Sequence, residues 1–159
     1  MVIVIQIEPA RQDDVLELIA ASDAYMASLY PAESNHMIDI DELERADFRL
    51  FVARDNGKLV GCGGWKKTGQ DTAEIKRMFV SPSARGSGIG RRLLHAIEAD
   101  ALAAGIQLIQ LETGVSQPEA LGLYRRQGYH EREAFPPYAA DPLSVFMERQ
   151  LSDGKPNNP

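Results

Sequence analysis

Apolar and polar positions follow two different periods along this chain, and the places where the period switches mark its elements. Val2 to Ile7 is rich in β-branched residues and stops at Glu8-Pro9, which predicts a first strand. Asp13 and Asp14 precede Val15, Leu16, Leu18 and Ile19, and carboxylates there complement the positive end of a starting helix. The pattern weakens between Tyr25 and Asp47. Pro31, Ser34 and Asn35 interrupt it, and only a short acidic helical piece from Ile38 to Ala46 is expected. Phe48 to Arg54 and Lys58 to Trp65 are apolar runs separated by Asp55-Asn56-Gly57, residues that tolerate the positive φ of a tight hairpin. Thr72 to Val80 predicts a third consecutive strand, closed by Ser81-Pro82 because proline cannot donate to a ladder.

From Ile89 the period lengthens to that of a helix, through Leu93, Leu94, Ile97, Ala101 and Leu102, until Gly105 supplies a left-handed stop. Ile106 to Leu111 reads as a buried strand. Ser116 and Glu119 have capping-box spacing, Pro118 suits a first helical turn, and Gly128 closes that short helix. A last strand fits Leu143 to Leu151 after a Pro136-Pro137 loop, and the polar stretch 152–159 is expected to be a frayed tail. The order β-α-α-β-β-β-α-β-α-β-β predicts an α/β (α+β) fold. Its sheet is mixed and mostly antiparallel, of about seven strands with helices on both faces, in one domain over residues 1–151.

Composition narrows the class. A chain of 159 residues with 44% apolar and 25% charged residues suits a single soluble domain. A net charge of −6 argues against nucleic acid as a partner, since such binders displace counterions with a basic surface. The apolar run at Val2 lacks a basic n-region and a cleavage site, and no run approaches the roughly 18 apolar residues of a membrane span. A cytoplasmic, membrane-free protein is expected. Cys62 is the lone cysteine, so no internal disulfide forms. Beside Gly61, Gly63 and Gly64 it reads as an inert buried thiol in preference to a nucleophile. His36, His95 and His130 lie far apart, with no i, i+4 pair, so no metal is expected.

The densest chemical signal is Arg85-Gly86-Ser87-Gly88-Ile89-Gly90 between a strand and a long helix. Alternate glycines let backbone N–H groups turn toward an anion, and the helix start adds its positive end, so the loop is a candidate phosphate cradle. A dinucleotide fingerprint needs glycine where Arg91 or Leu93 stands, and a Walker A loop needs Gly-Lys-Ser/Thr where Gly90-Arg91-Arg92 stands. Both fail.

The strand Ala73-Glu74-Ile75-Lys76-Arg77-Met78-Phe79-Val80 followed by Arg85-x-x-Gly88-x-Gly90 resembles motif A of the GNAT superfamily, and Tyr124-Arg125-Arg126-Gln127-Gly128-Tyr129 resembles its motif B. The resemblance covers about residues 2 to 151. It implies an N-acetyltransferase that moves an acetyl group from acetyl-CoA to a primary amine by direct attack in a ternary complex, without a metal. It implies a splay between strands four and five, with Ile75 to Val80 and Gln107 to Glu112 as the arms of a V. Met78, Phe79 and Val80 would bond the pantetheine through their backbone, and Arg85, Gly86, Ser87, Gly88, Ile89 and Gly90 would hold the pyrophosphate. Arg91, with Arg92, would touch the nucleotide's 3'-phosphate; otherwise the two are a solvated face of the first helical turn. Glu74 stands where some members carry a catalytic glutamate; otherwise it is a polar residue on the solvent side of a strand. Tyr124 would serve the leaving sulfur; otherwise it packs in the core.

In such a family the acceptor sits near the first helices and the last hairpin. Tyr30, Glu33 and His36 lie in that region with Tyr25, Asp39, Asp41, Glu42 and Glu44, and acidic residues there favour a small cationic amine. Trp65 either walls the acceptor pocket or covers the sheet edge, and Pro136-Pro137-Tyr138 is placed to close the other side. The alternatives are a protein lysine or N-terminus as acceptor, and a non-catalytic acyl-CoA-binding module. A homodimer is possible through an exposed final strand.

Overall fold

The computed structural model describes residues 2–34 and 39–151; His36 and the expected tail at 152–159 lie outside them. Strand β1 spans Ile3–Ile7 and helix α1 Asp13–Leu29. After a 3-10 turn at Ala32–Ser34 and a one-turn helix α2 at Ile40–Leu43 come β2 (Phe48–Asp55), β3 (Lys58–Lys67) and β4 (Thr72–Val80). Helix α3 spans Ile89–Ala103, β5 Leu108–Gly114, α4 Pro118–Arg126, β6 His130–Arg132 and β7 Ser144–Gln150. The seven strands form one sheet in the order β1-β2-β3-β4-β5-β7-β6. Its pairs are antiparallel except for parallel β4 and β5.

Strand alternation divides the core between two layers. Phe51 and Ala53 of β2 join Ala73, Ile75 and the α3 stripe Leu93, Leu94, Ile97 and Ala101 on one face. Leu50 and Val52 join Val15, Leu18 and Ile19 of α1 on the other, with the buried Cys62. Burial pushes the Cys62 thiol up to about 12, and its Sγ lies 3.3 Å from the Arg77 carbonyl, which makes it an inert core residue.

Two irregularities shape the middle of the sheet. The β4–β5 ladder runs from Thr72↔Leu108 to Ile75↔Leu111 and stops there, although both strands continue. The arms of the V are therefore Lys76–Val80 and Glu112–Gly114, a few residues further along than the sequence predicts. In β4 the pairing with β3 shifts between Cys62↔Phe79 and Gly64↔Lys76, so two residues, Arg77 and Met78, oppose Gly63. Arg77 takes up the bulge with φ +63°, a left-handed conformation rare for a side chain of this size.

Two sequence expectations give way. The start of α4 is not a capping box: Gln117 is the N-cap with no side-chain cap bond, Pro118 begins the helix, and the Ser116 N–H donates to the Tyr30 hydroxyl instead. The final strand β7 is not an edge. It lies between β5 and β6, which pairs with it over Phe146–Glu148, so it is not the exposed edge the sequence suggested.

Candidate active site

A single cleft of about 690 Å³ follows the opening of the V, a volume in the usual range for a small-ligand site. One end is the glycine loop. Gly86 and Gly88 have φ +85° and +77°, and Gly88 is the N-cap of α3. The first helical bond here runs from the Arg92 N–H to the Gly88 carbonyl, so the amides of Ile89, Gly90 and Arg91 precede the helix ladder. Those donors, added to the positive end of a helix, form a cradle for an anion. A Cβ on Gly88 would meet no atom within 4 Å, so the glycine is there for its backbone and for the open space above it. Arg85 is fixed beside the cradle: its Nε donates to the Val80 carbonyl, and its guanidinium stacks 5.3 Å over Tyr25 and 5.7 Å over Phe79.

The middle of the cleft is the free side of β4. Phe79 and Val80 pair with Cys62 and Gly61 of β3, while on the other side β5 has left the ladder after Leu111. Backbone groups along Met78–Val80 thus face the V with no strand against them, the arrangement by which an extended amide-bearing ligand adds to a sheet edge. Loop donors, free strand edge and apolar walls from Ala120, Leu123 and Ile89 together suit a long molecule with phosphates at one end and amides along its arm.

The far end carries the titratable groups. Glu74 lines the cleft although it is only 3% exposed; it lies between Ala73 and Ile75, whose side chains enter the α3 core, so its own side chain takes the opposite face. The Tyr138 hydroxyl donates to Glu74 Oε2 at 2.6 Å, and Lys76 Nζ lies 3.2 Å from the same oxygen. Among the described residues no donor reaches Oε1, which is left open to the cleft. Burial raises the Glu74 carboxyl above its ordinary range against the pull of Lys76 and Tyr138. Across the V, Glu112 accepts from the Ser144 hydroxyl at 2.8 Å. Arg77 lines the cleft and pairs with Asp23 of α1 at 2.5 Å.

Tyr124 is 5% exposed in α4, with its ring edge-on to Tyr129 at 5.7 Å. Burial alone pushes its hydroxyl well above the usual tyrosine range, and among the described residues that hydroxyl makes no hydrogen bond. Tyr30 is a buried wall residue whose hydroxyl accepts from the Ser116 N–H at 3.2 Å and the Gln117 side-chain amide at 3.3 Å.

Glu74, Tyr124, Met78, Phe79, Val80, Arg85, Gly86, Gly88, Ile89, Gly90, Arg91 and Tyr30 are thus brought to one cleft. Ser87 and Glu33 are exposed beside it and not on its wall. Trp65 neither walls the cleft nor covers an edge: it is 4% exposed, its indole N–H donates to Asp100 of α3 at 2.9 Å, and Arg49 stacks 5.6 Å above it. The acidic run around α2 also stays outside, with Asp41 and Glu44 both paired to Arg11. Sequence reasoning passed over Lys76, Glu112 and the role of Tyr138. The available signal was the spacing of Glu74 and Lys76, two charged residues two apart that alternate with the apolar Ala73 and Ile75, which places them on one face.

Residues 14–129 match the model of the Acetyltransferase (GNAT) family. An Azospirillum brasilense protein described as an IAA acetyltransferase is 51% identical over 145 residues, covering 91% of this chain and 95% of that one. A solved Klebsiella pneumoniae structure assigned as an acyl-CoA N-acyltransferase superposes with TM-score 0.84 at 36% identity, over 94% of this chain and 98% of that one. At 19% identity the PaiA N-acetyltransferase of Thermoplasma acidophilum, solved with coenzyme A, shares the fold with TM-score 0.73 over 94% and 98% of the two chains. Glycine cradle, split sheet and sequence kinship converge: the chain belongs to the GNAT family and is an acyl-CoA-dependent N-acyltransferase.

Proposed function

We propose that this enzyme transfers the acetyl group of acetyl-CoA directly to a primary amine of a small cationic metabolite, with Glu74 as base and Tyr124 as donor to the leaving sulfur. The observation that carries the reading is that an open carboxylate oxygen and an unbonded phenol line the same cleft as the phosphate cradle. The coenzyme A held by the Thermoplasma acidophilum fold neighbour supports the choice of donor.

The steps follow from the groups present. An alkylammonium has a pKa of about 10.4 and must lose a proton before it attacks. Glu74 Oε1 accepts that proton, and the raised pKa of its carboxyl brings its basicity nearer to neutral pH than an exposed glutamate achieves. A backbone N–H of Met78–Val80 meets the negative charge that develops on the carbonyl oxygen, in a site already ordered before the reaction. As the carbon–sulfur bond breaks, the nitrogen of the tetrahedral adduct sheds its second proton, which ends on the departing sulfur, and the Tyr124 hydroxyl donates a hydrogen bond to the thiolate as it leaves. Complete proton transfer is uphill for a phenol whose pKa burial has raised, so stabilisation of the thiolate is its contribution.

Several features favour a small acceptor. Met26, Tyr30, Tyr138 and Leu143 line the cleft together with the carboxylates of Glu74, at the end of the β4–β5 ladder, and of Glu112, just beyond it. The test is thiol release from acetyl-CoA across a panel of polyamines, amino acids, aminoglycosides and a lysine peptide. IAA belongs in that panel because it is in the name of the Azospirillum brasilense relative. Release with a small amine supports the proposal; release with the peptide alone overturns it. For Tyr124→Phe the expected result is a fall in turnover with acetyl-CoA affinity little changed, and equal turnover would return Tyr124 to a packing role.

A further inference from the structure

We infer that Tyr138 and Lys76 are positioning residues for Glu74, which clamp one carboxylate oxygen so that the other is presented to the acceptor amine. The inference rests on the reading of Glu74 as the base and adds the device that makes a buried glutamate usable as one.

The geometry is specific. Lys76 Nζ donates to the Tyr138 hydroxyl, the Tyr138 hydroxyl donates to Glu74 Oε2 at 2.6 Å, and Lys76 lies 3.2 Å from that same oxygen. Two groups thus converge on Oε2 and also bond to each other, whereas among the described residues Oε1 has no donor. The clamp is stiff. Lys76 also stacks 5.2 Å over the Tyr138 ring, and that ring packs against Phe135 at 5.4 Å and Phe146 at 5.9 Å. Side-chain exposures of 11% for Lys76 and 4% for Glu74 keep solvent from dissolving the pair.

A carboxylate with this little exposure loses most of its hydration, which favours its protonated form and works against its accepting a proton from the amine. Other charged groups do not rescue it. Glu112 of β5 acts in the unfavourable direction, and Glu148 of β7, two strands away, is engaged by Arg132 and Gln110. On β3, Lys66 is the register partner of Glu74 but makes no ion pair with it, and Arg77 of β4 is directed to Asp23. Lys76 and Tyr138 are the groups that favour the charged form. The arrangement also explains why a tyrosine follows Pro136-Pro137: that loop brings to the V a hydroxyl the sheet itself does not supply.

The test reads the Glu74 carboxyl directly. The whole protein, labelled with [δ-13C]glutamate, is titrated by NMR, and the Glu74 resonance is assigned by its loss in Glu74→Gln. In Lys76→Met the midpoint is expected to rise by about one pH unit or more, the ordinary effect of removing a close opposite charge. Tyr138→Phe keeps the ring and is expected to move it the same way by less. Lys76→Gln replaces Lys76→Met if the latter does not fold. A midpoint unmoved or lowered in both clamp variants overturns the inference. Thiol release by Glu74→Gln with the best amine of the panel tests the underlying reading separately. Unaltered turnover there removes Glu74 as base whatever the titration shows, while lost turnover with an unmoved midpoint removes the clamp and leaves the base.

Discussion

Tyr30 and Gly114 show how closely single residues are specified in this site. A Cβ built on Gly114 would stand 1.8 Å from the Tyr30 hydroxyl oxygen. Gly114→Ala must therefore push Tyr30 off the bonds it accepts from Ser116 and Gln117. The expected cost is about 1–3 kcal/mol in denaturant unfolding, typical of overpacking a filled site. A rise in KM for the amine should exceed any change in acetyl-CoA affinity. At Gly88 the constraint is the reverse, since the space is open and the backbone left-handed. Gly88→Trp is expected to fill the cradle and abolish acetyl-CoA binding in calorimetry. Its backbone strain costs only about 1–2 kcal/mol, so the protein should remain folded, and unchanged affinity in that folded variant would sink the cradle assignment. Both glycines are visible in the sequence, but only Gly88 stands in a motif. Gly114 owes its requirement to Tyr30, which is remote in the chain.

At the scale of elements, Arg54 fastens β2 to the turn before α1 and to the helix itself. Its guanidinium reaches Glu8 at 2.8 Å and Asp14 at 2.8 Å. Hydrogen bonds from Arg54 hold the Glu8 carboxyl down at about 2, against an ordinary value of 4.5. A carboxyl depressed in the folded state stabilises the protein above its unfolded pKa, and that stability is lost as pH falls toward the folded value. Arg54→Met is therefore expected to cost about 2 kcal/mol at neutral pH. The gap to the native protein should close between about pH 4.5 and 2, as read by thermal unfolding across pH; a gap constant over that range would show that Arg54 acts through packing alone. Strands β1 to β5 and β7, with α1 and α3, were legible because each carries its own period and punctuation, whereas the three-residue β6 was not located. Helix α4 was misread at its start, because a capping box is a local pattern and the Ser116 N–H is claimed by a distant hydroxyl. Trp65 was misread for a similar reason: nothing near it in sequence announces Asp100, its partner across the core.

For the whole molecule the decisive feature is a sheet that is continuous at one end of β4 and open at the other. The cleft exists because β5 leaves the ladder after Leu111, and α3 with α4 then covers one side while α1 and the Pro136-Pro137 loop cover the other. A ligand that fits across those parts binds the folded chain and not the unfolded one. Acetyl-CoA at 100 times its Kd should accordingly raise unfolding stability by about 2.7 kcal/mol, seen as a higher Tm, whereas NAD and ATP at the same concentration should leave it unmoved. Stabilisation by NAD or ATP and not by acetyl-CoA would reassign the cradle. Among the described residues no helix is long and apolar enough to cross a membrane, and the sheet edges are β1 and β6, not the last strand.

By itself the sequence determined the element order, the glycine loop and the two motifs that carry the family resemblance, because strand and helix periods, turn chemistry and a phosphate cradle are all written in residues close together in the chain. It also singled out Glu74 and Tyr124. Only the tertiary structure decided that Glu74 is buried and held through one oxygen, that Trp65 and the acidic run near α2 stand away from the cleft, and that the last strand lies inside the sheet. The physical reason is the same in each case. Burial, hydrogen-bond partners and strand order depend on contacts between residues far apart in sequence, and a local pattern contains no information about which distant side chain arrives to complete it.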